Sequence, residues 1–164
     1  MRFYEYLNIY YDRQELINFS ANLSWEEVRR KDNNEVIPNL TVYRYKKSLF
    51  KCKEIKRLAS IFKINTTKIQ LVNFGPQFSY QPHVDFERTT CVLFPIMPVI
   101  NYNPLNFHLD DKVHPVYYYG PVAVNTTLKH SLKGNNFNRI NLQFDLDCTL
   151  EECLDYVTSY TNTL

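Results

Sequence analysis

The chain has 164 residues, of which 45% are hydrophobic and 15% aromatic, so it falls in the range of one globular domain with a sizeable core and is not a disordered polypeptide. A formal net charge of +2 gives no electrostatic case for nucleic acid or a membrane surface as a partner. Cys52, Cys91, Cys148 and Cys153 form no Cys-X-X-Cys pair, and neither a signal sequence nor a spanning segment is evident, so the expected location is a reducing cytoplasm. Five Asn-X-Ser/Thr sequons, at Asn18, Asn22, Asn39, Asn65 and Asn125, are better explained by an Asn-rich composition than by secretion. The same bias toward Asn, Lys, Tyr and Ile fits an AT-rich genome, for instance a viral one.

The chain opens on a short strand region. Ser24-Trp25-Glu26-Glu27 has the form of a capping box and predicts a small helix, and Val36 to Tyr45 follow as strand or loop. Ile55, Leu58, Ile61 and Phe62 stand at helical spacing and predict a longer helix from Leu49 to Phe62. The basic run Lys46-Lys47, Lys51, Lys53, Lys56 and Arg57 reads as the solvated side of that helix rather than a binding patch. Lys68 to Phe74 alternates as a strand does, Gly75-Pro76 breaks it, and Thr89 to Phe94 resumes β-rich sequence. Asn101 to Pro115 is a stretch able to supply active-site walls or a mobile loop. Tyr117-Tyr118-Tyr119 reads as strand packing, with one ring available to line a pocket. Val122 to Thr127 is the next strand, Leu128 to Ser131 its exit, Gly134-Asn135-Asn136 a turn, and Arg139 to Phe144 a further strand. Thr149-Leu150-Glu151-Glu152 is a second capping box and opens a C-terminal helix through about Ser159, with Leu150, Leu154 and Val157 on one stripe. Helices first, many short strands and one helix last suit a jelly-roll sheet buttressed by helices: mainly β with flanking α-helices. The expected organisation is one domain over 1–164, with support over 1–66, a jelly-roll core over 67–146 and a closing helix over 149–160.

Within that frame His83-Val84-Asp85, His130 and Arg139 carry chemistry. Residues i and i+2 on a strand or its edge point to one side, so His83 and Asp85 can address one ion while Val84 faces away. His130 lies far enough along the chain for intervening strands to bring it back. Two imidazoles and a carboxylate on one face of a metal leave the opposite positions open, the arrangement of a non-haem iron(II) site that binds a co-substrate and O₂ together. Arg139, Asn141 and Gln143 share one face of their strand, with Ile140, Leu142 and Phe144 on the other, so a polar lining beside the metal is expected. His108 and His114 are not needed to complete the set.

Together His83-X-Asp85, His130 and Arg139 resemble the iron(II)/2-oxoglutarate-dependent dioxygenases, over roughly residues 70 to 145. Asn73-Phe74-Gly75-Pro76 ahead of Gln81-Pro82-His83-Val84-Asp85 is similar to the family's approach to its first ligand, and Thr126 to Leu132 to its approach to the second. The resemblance implies a double-stranded β-helix, or cupin-like jelly roll. It implies His83, Asp85 and His130 as Fe(II) ligands and catalytic centre, Arg139 on the distal carboxylate of 2-oxoglutarate, and a co-substrate contact for Asn73. O₂ and 2-oxoglutarate would yield succinate, CO₂ and a hydroxylated product, and the partner would be an amino-acid side chain, peptide or small metabolite. Among branches, the small phage-type and aspartyl/asparaginyl-hydroxylase-like members are the most similar. Two departures matter. The nucleic-acid dealkylase branch carries Arg-X-Asn-X-X-X-Arg after the distal histidine, and this chain has Arg139-Ile140-Asn141 but Asp145 in place of the second arginine. The aspartyl-hydroxylase branch has an arginine in the strand after the first histidine, for which Arg88, in the preceding turn, is the nearest residue. Nucleobase oxidation and a non-catalytic cupin-like metal-binding or structural protein are the alternatives.

Overall fold

The computed structural model describes residues 2–97 and 103–162. In chain order the elements are β1 (Tyr4–Tyr6), α1 (Arg13–Ala21), β2 (Glu26–Arg29), β3 (Val36–Arg44), α2 (Lys53–Ile61), β4 (Ile69–Phe74), β5 (Tyr80–His83), β6 (Thr90–Met97), β7 (Leu105–Leu109), β8 (Lys112–Val116), β9 (Val122–Asn125), β10 (His130–Leu132), β11 (Arg139–Leu146) and α3 (Leu150–Thr161). They form a seven-stranded sheet ordered β1-β9-β6-β11-β4-β3-β2 and a four-stranded sheet ordered β5-β10-β7-β8. The pairing is antiparallel, and the architecture is the expected double-stranded β-helix with flanking helices. Among the described residues no helix is long and apolar enough to cross a membrane.

The period-two alternation of β11 organises the molecule. Leu142, Phe144 and Leu146 point into a core shared with Ile55, Leu58 and Phe62 of the helical layer and with Val92 and Phe94 of β6. The intervening Arg139, Asn141, Gln143 and Asp145 are just as buried but form the opposite, polar face. On that side a second cluster, including Cys91, Leu93, Leu105 and Phe107, joins the two sheets, and a third holds Leu40, Val42 and Val72. The large sheet is therefore buried on both faces at its centre, and its polar stripe occupies the inside of the sandwich rather than a solvated edge.

Several expectations change. Ser24-Trp25-Glu26-Glu27 does not cap a helix: Glu26–Arg29 is strand β2, paired with β3. The nearby helix is α1, opened by Asp12, whose side chain accepts from the Glu15 N–H at 2.9 Å. The helix expected over 49–62 is divided into a 3₁₀ turn, Lys47–Lys51, and α2, with Cys52 extended between them. No side chain from its own N-terminus caps α2; Glu15 of α1 does so, accepting from the Glu54 N–H at 3.2 Å. The short strand region expected at the start is β1, and Val36–Arg44 is strand β3; with β2 they are members of the large sheet. The segment read as the exit of β9 contains β10, which pairs with both β5 and β7. Tyr117 to Tyr119 lie in the connection between β8 and β9, with only Tyr118 buried. The C-terminal capping box is present as expected, with Thr149 and Glu152 reciprocally bonded. Its buried stripe is Leu150, Cys153 and Val157, with Leu154 half-buried.

Candidate metal centre

Antiparallel pairing of β5 with β10 sets His83 directly opposite His130, and their rings lie 4.5 Å apart between centroids. Asp85 sits two residues beyond the end of β5, where its backbone N–H donates to the Thr126 carbonyl at 3.0 Å. That bond brings the loop against the end of β9. The result is a cluster in which one ligand atom from each of His83, Asp85 and His130 lies within 4.8 Å of the others. His83 Nε2 is 3.7 Å from Asp85 Oδ1, and His130 Nε2 is 3.7 Å from Asp85 Oδ2.

The donor set fits a divalent transition metal. His83 Nδ1 is 2.7 Å from the Gln81 carbonyl, and His130 Nδ1 is 2.9 Å from the Leu128 carbonyl. A carbonyl only accepts, so each Nδ1 carries a proton, and the tautomer this selects leaves each Nε2 directed toward Asp85 as the ligating atom. Orientation of a ligating imidazole through its other nitrogen is the usual support for such a centre. Burial pushes the pKa of His130 below its ordinary value of 6.5, which keeps that ring neutral and able to ligate near neutral pH. Among the described residues the three-residue cluster includes neither His108 nor His114. His108 Nε2 is 2.8 Å from Ser131 Oγ, and the His114 ring packs 5.5 Å from that of Phe3.

Two spaces meet at this cluster. An inner cavity of about 70 Å³ runs between the sheets and is lined by His83, His130, Tyr118, Asn141 and Gln143 among others. An outer groove of about 580 Å³ shares His83 and adds Asp85, with a floor that includes Leu40, Val42 and Val72 and a rim that includes Lys31 and Arg44. Phe86, 93% exposed, stands at its mouth.

Arg139 is 2% exposed, at the start of β11 on the polar face. Its Nη1 donates to the Asn103 carbonyl at 3.0 Å and its Nη2 to the Tyr118 hydroxyl, over whose ring the guanidinium is centred at 4.8 Å. Arg139 is buried on the polar face of β11 but does not line the inner cavity; Tyr118, to whose hydroxyl it donates, stands in the lining. Asn141 Nδ2 donates to the same hydroxyl at 3.1 Å, while its buried Oδ1 has no hydrogen-bond partner among the described residues. That leaves a polar group in the cavity wall suited to a ligand.

Asn73 is not brought to the centre. On β4 it shares a face with Ile69 and Leu71, which belong to the helix-side core, whereas Gln70, Val72 and Phe74 face the groove. Asn101 and Tyr102, in the stretch expected to supply walls, lie outside the described residues. Of Tyr117 to Tyr119, the one ring expected to be available to a pocket is Tyr118, which lines the inner cavity. Two functional candidates escaped the sequence reading. Asp145 was legible as the next inward position after Gln143 on β11. Arg88, passed over because it lies in a turn, donates through Nε and Nη2 to Asp85 Oδ2 at 2.9 and 2.8 Å and through Nη1 to Asp145 Oδ1. Burial works against its charge, but Cys91, Asp145 and Asp85 around it outweigh that and hold its pKa above the ordinary guanidinium range.

A scan of protein-family models finds no match to this chain, and a search of curated proteins finds none either. Solved structures do match. A prolyl hydroxylase from Trichoplax adhaerens, in complex with a hypoxia inducible factor oxygen degradation domain peptide fragment, aligns with a TM-score of 0.65 at 17% identity, over 87% of this chain and 78% of that one. An oxidoreductase of the 2OG-Fe(II) oxygenase family from Burkholderia pseudomallei aligns at 0.58 and 11% identity, over 80% and 76%. A prolyl-4-hydroxylase from Pseudomonas putida aligns at 0.58 and 10% identity, over 87% and 92%. At these identities the likeness is one of fold, and the chain has the double-stranded β-helix fold of the 2-oxoglutarate and iron(II) oxygenases.

Proposed function

We propose that the protein is an iron(II)- and 2-oxoglutarate-dependent oxygenase that hydroxylates an amino-acid side chain, peptide or small metabolite. The observation that carries this reading is the convergence of His83, Asp85 and His130, with both Nδ1 atoms anchored on carbonyls so that both Nε2 atoms face the carboxylate. In the fold of this oxygenase class, the same centre opens on one side to a narrow interior and on the other to a groove large enough for a substrate.

Iron(II) bound there would couple O₂ reduction to oxidative decarboxylation of 2-oxoglutarate, giving succinate and CO₂, and to hydroxylation of a substrate C–H bond. The protein's own part is placement. His83, Asp85 and His130 would hold the ion from one side and leave the opposite positions open. Arg139 would pair with the distal carboxylate of 2-oxoglutarate, with the Tyr118 hydroxyl as the group through which that end of the cavity is already polar. The apolar walls of the inner cavity, among them Leu93, Leu105 and Leu132, would exclude water from the co-substrate. The outer groove, apolar in its floor and polar at its rim, would present the substrate C–H bond at the shared wall.

The reading is tested by incubating the protein aerobically with Fe(II), ascorbate and 2-oxoglutarate, alone and with a panel of free amino acids and short unstructured peptides, and following succinate by NMR. Wild type is expected to release succinate in an iron-dependent way, faster with a substrate present, and His130→Ala is expected to release none. Equal succinate from wild type and His130→Ala would overturn the assignment.

A further inference from the structure

We propose that Arg88 is a positioning residue for the metal centre: paired at once with Asp85 and Asp145, it ties the loop carboxylate to the sheet and leaves Asp85 Oδ1 as the oxygen offered to a metal. This rests on the reading of His83, Asp85 and His130 as the metal ligands. The two histidines stand on paired strands, but Asp85 lies past the end of β5, in a connection that runs to β6 at Thr90. A backbone bond to Thr126 fixes its main chain and leaves the side chain to rotate. Arg88 removes that freedom.

Both of its bonds to Asp85, from Nε at 2.9 Å and Nη2 at 2.8 Å, fall on Oδ2; each carboxylate oxygen lies 3.7 Å from one histidine Nε2, Oδ1 from His83 and Oδ2 from His130, so the Arg88 bonds are what distinguish the two. A carboxylate oxygen that accepts two N–H groups has its lone pairs engaged, so the other oxygen is the better electron donor to an ion and one-oxygen ligation is favoured over chelation. The guanidinium is itself anchored. Nη1 bonds Asp145 Oδ1 on β11, and Asp145 Oδ2 accepts from Gln70 Nε2 on β4 at 3.0 Å. Gln143, beside them on β11, can accept from Arg88 Nη2 at 3.1 Å when its amide oxygen is turned inward. The loop ligand is thereby referenced to two central strands of the large sheet, and the planar fork spans both carboxylates in a way an ammonium cannot. The same arrangement accounts for Asp145: its carboxylate, 8% exposed, holds the arginine that holds the ligand.

Groups that orient a metal ligand usually change metal affinity by about ten- to a hundredfold when removed. The test uses Co(II) alone, titrated anaerobically into metal-free protein and followed by its visible d–d bands, so no turnover is involved. Arg88→Ala is expected to weaken Co(II) binding at least about tenfold and to alter the band pattern, because Asp85 is then able to rotate or chelate. Asp145→Asn, which keeps the shape and the Gln70 contact, is expected to weaken binding in the same direction by a smaller factor. Arg88→Lys should recover part of the affinity lost in Arg88→Ala. Denaturant midpoints of the metal-free variants separate this from unfolding; if Arg88→Ala does not fold, Arg88→Lys and Asp145→Asn decide the matter. Wild-type affinity and wild-type bands in the folded Arg88 and Asp145 variants would overturn the role of Arg88 while leaving the metal centre standing. Wild type that binds no Co(II), or binds it as well after His130→Ala, would overturn the metal centre and this role with it.

Discussion

The backbone carbonyls of Gln81 and Leu128 hold Nδ1 of His83 and His130 and so orient each Nε2 toward Asp85, the arrangement a metal would require. Because the site sits at the rim of an independently packed sandwich, His83→Ala or His130→Ala should abolish Fe(II) binding at micromolar iron with an unchanged circular dichroism spectrum, while His108→Ala and His114→Ala keep it. A His83 or His130 variant with normal iron stoichiometry would move the ligands elsewhere. For Arg139 the expectation is set by charge burial: removing one partner of a buried ion pair costs about 3–5 kcal/mol. Arg139→Ala should therefore retain iron but raise the 2-oxoglutarate dissociation constant on the order of a hundredfold or more, with partial recovery in Arg139→Lys, measured by calorimetry. Unchanged co-substrate affinity in Arg139→Ala would remove it from that role. His83, Asp85 and His130 were legible because residue type and spacing are what a metal demands. Motif likeness assigns Asn73 to the co-substrate, whereas strand alternation groups it with Ile69 and Leu71 on the far face.

At the scale of elements, two capping boxes of the same form had opposite outcomes. Thr149 is followed by Leu150, Cys153 and Val157, a stripe that a helix can bury, and the helix forms. Ser24 is followed by Trp25, Glu26, Glu27, Val28 and Arg29, and after Val28 the run Arg29-Arg30-Lys31-Asp32 continues no apolar stripe, so pairing with β3 decides the conformation. The division at Cys52 was hidden for a different reason: the cap of α2 comes from Glu15, distant in sequence. Glu54 in that first turn accepts from the Asp12 N–H and from Arg57, binding α2 to the start of α1. Burial alone would raise the pKa of its carboxyl, but the bonds from Arg57 and Asp12 outweigh that and hold it below the ordinary 4.5. A carboxyl depressed in the folded state stabilises the fold fully above its unfolded value and loses that contribution as pH falls through the folded one. Urea midpoints of wild type should accordingly fall on acidification below about pH 4.5, more steeply than those of Glu54→Gln. Parallel pH profiles would show that the pair contributes nothing.

Across the whole molecule, the jelly-roll class was legible from the succession of short alternating strands and turn residues between Lys68 and Phe144. What was not legible was long-range pairing: β1 joins β9, and β10 sits between β5 and β7, contacts that no local pattern encodes. Those pairings are what set His83 opposite His130 and turn the polar face of β11 toward the inside. Whether this interior takes up iron and 2-oxoglutarate together is read by anaerobic absorption spectroscopy. Fe(II) and 2-oxoglutarate added together to wild type should produce a metal-to-ligand charge-transfer band that neither gives alone, absent in His130→Ala and weakened at fixed co-substrate in Arg139→Ala. No band in wild type at saturating iron and co-substrate, or an undiminished band in His130→Ala, would rule out a shared iron and co-substrate site at this centre.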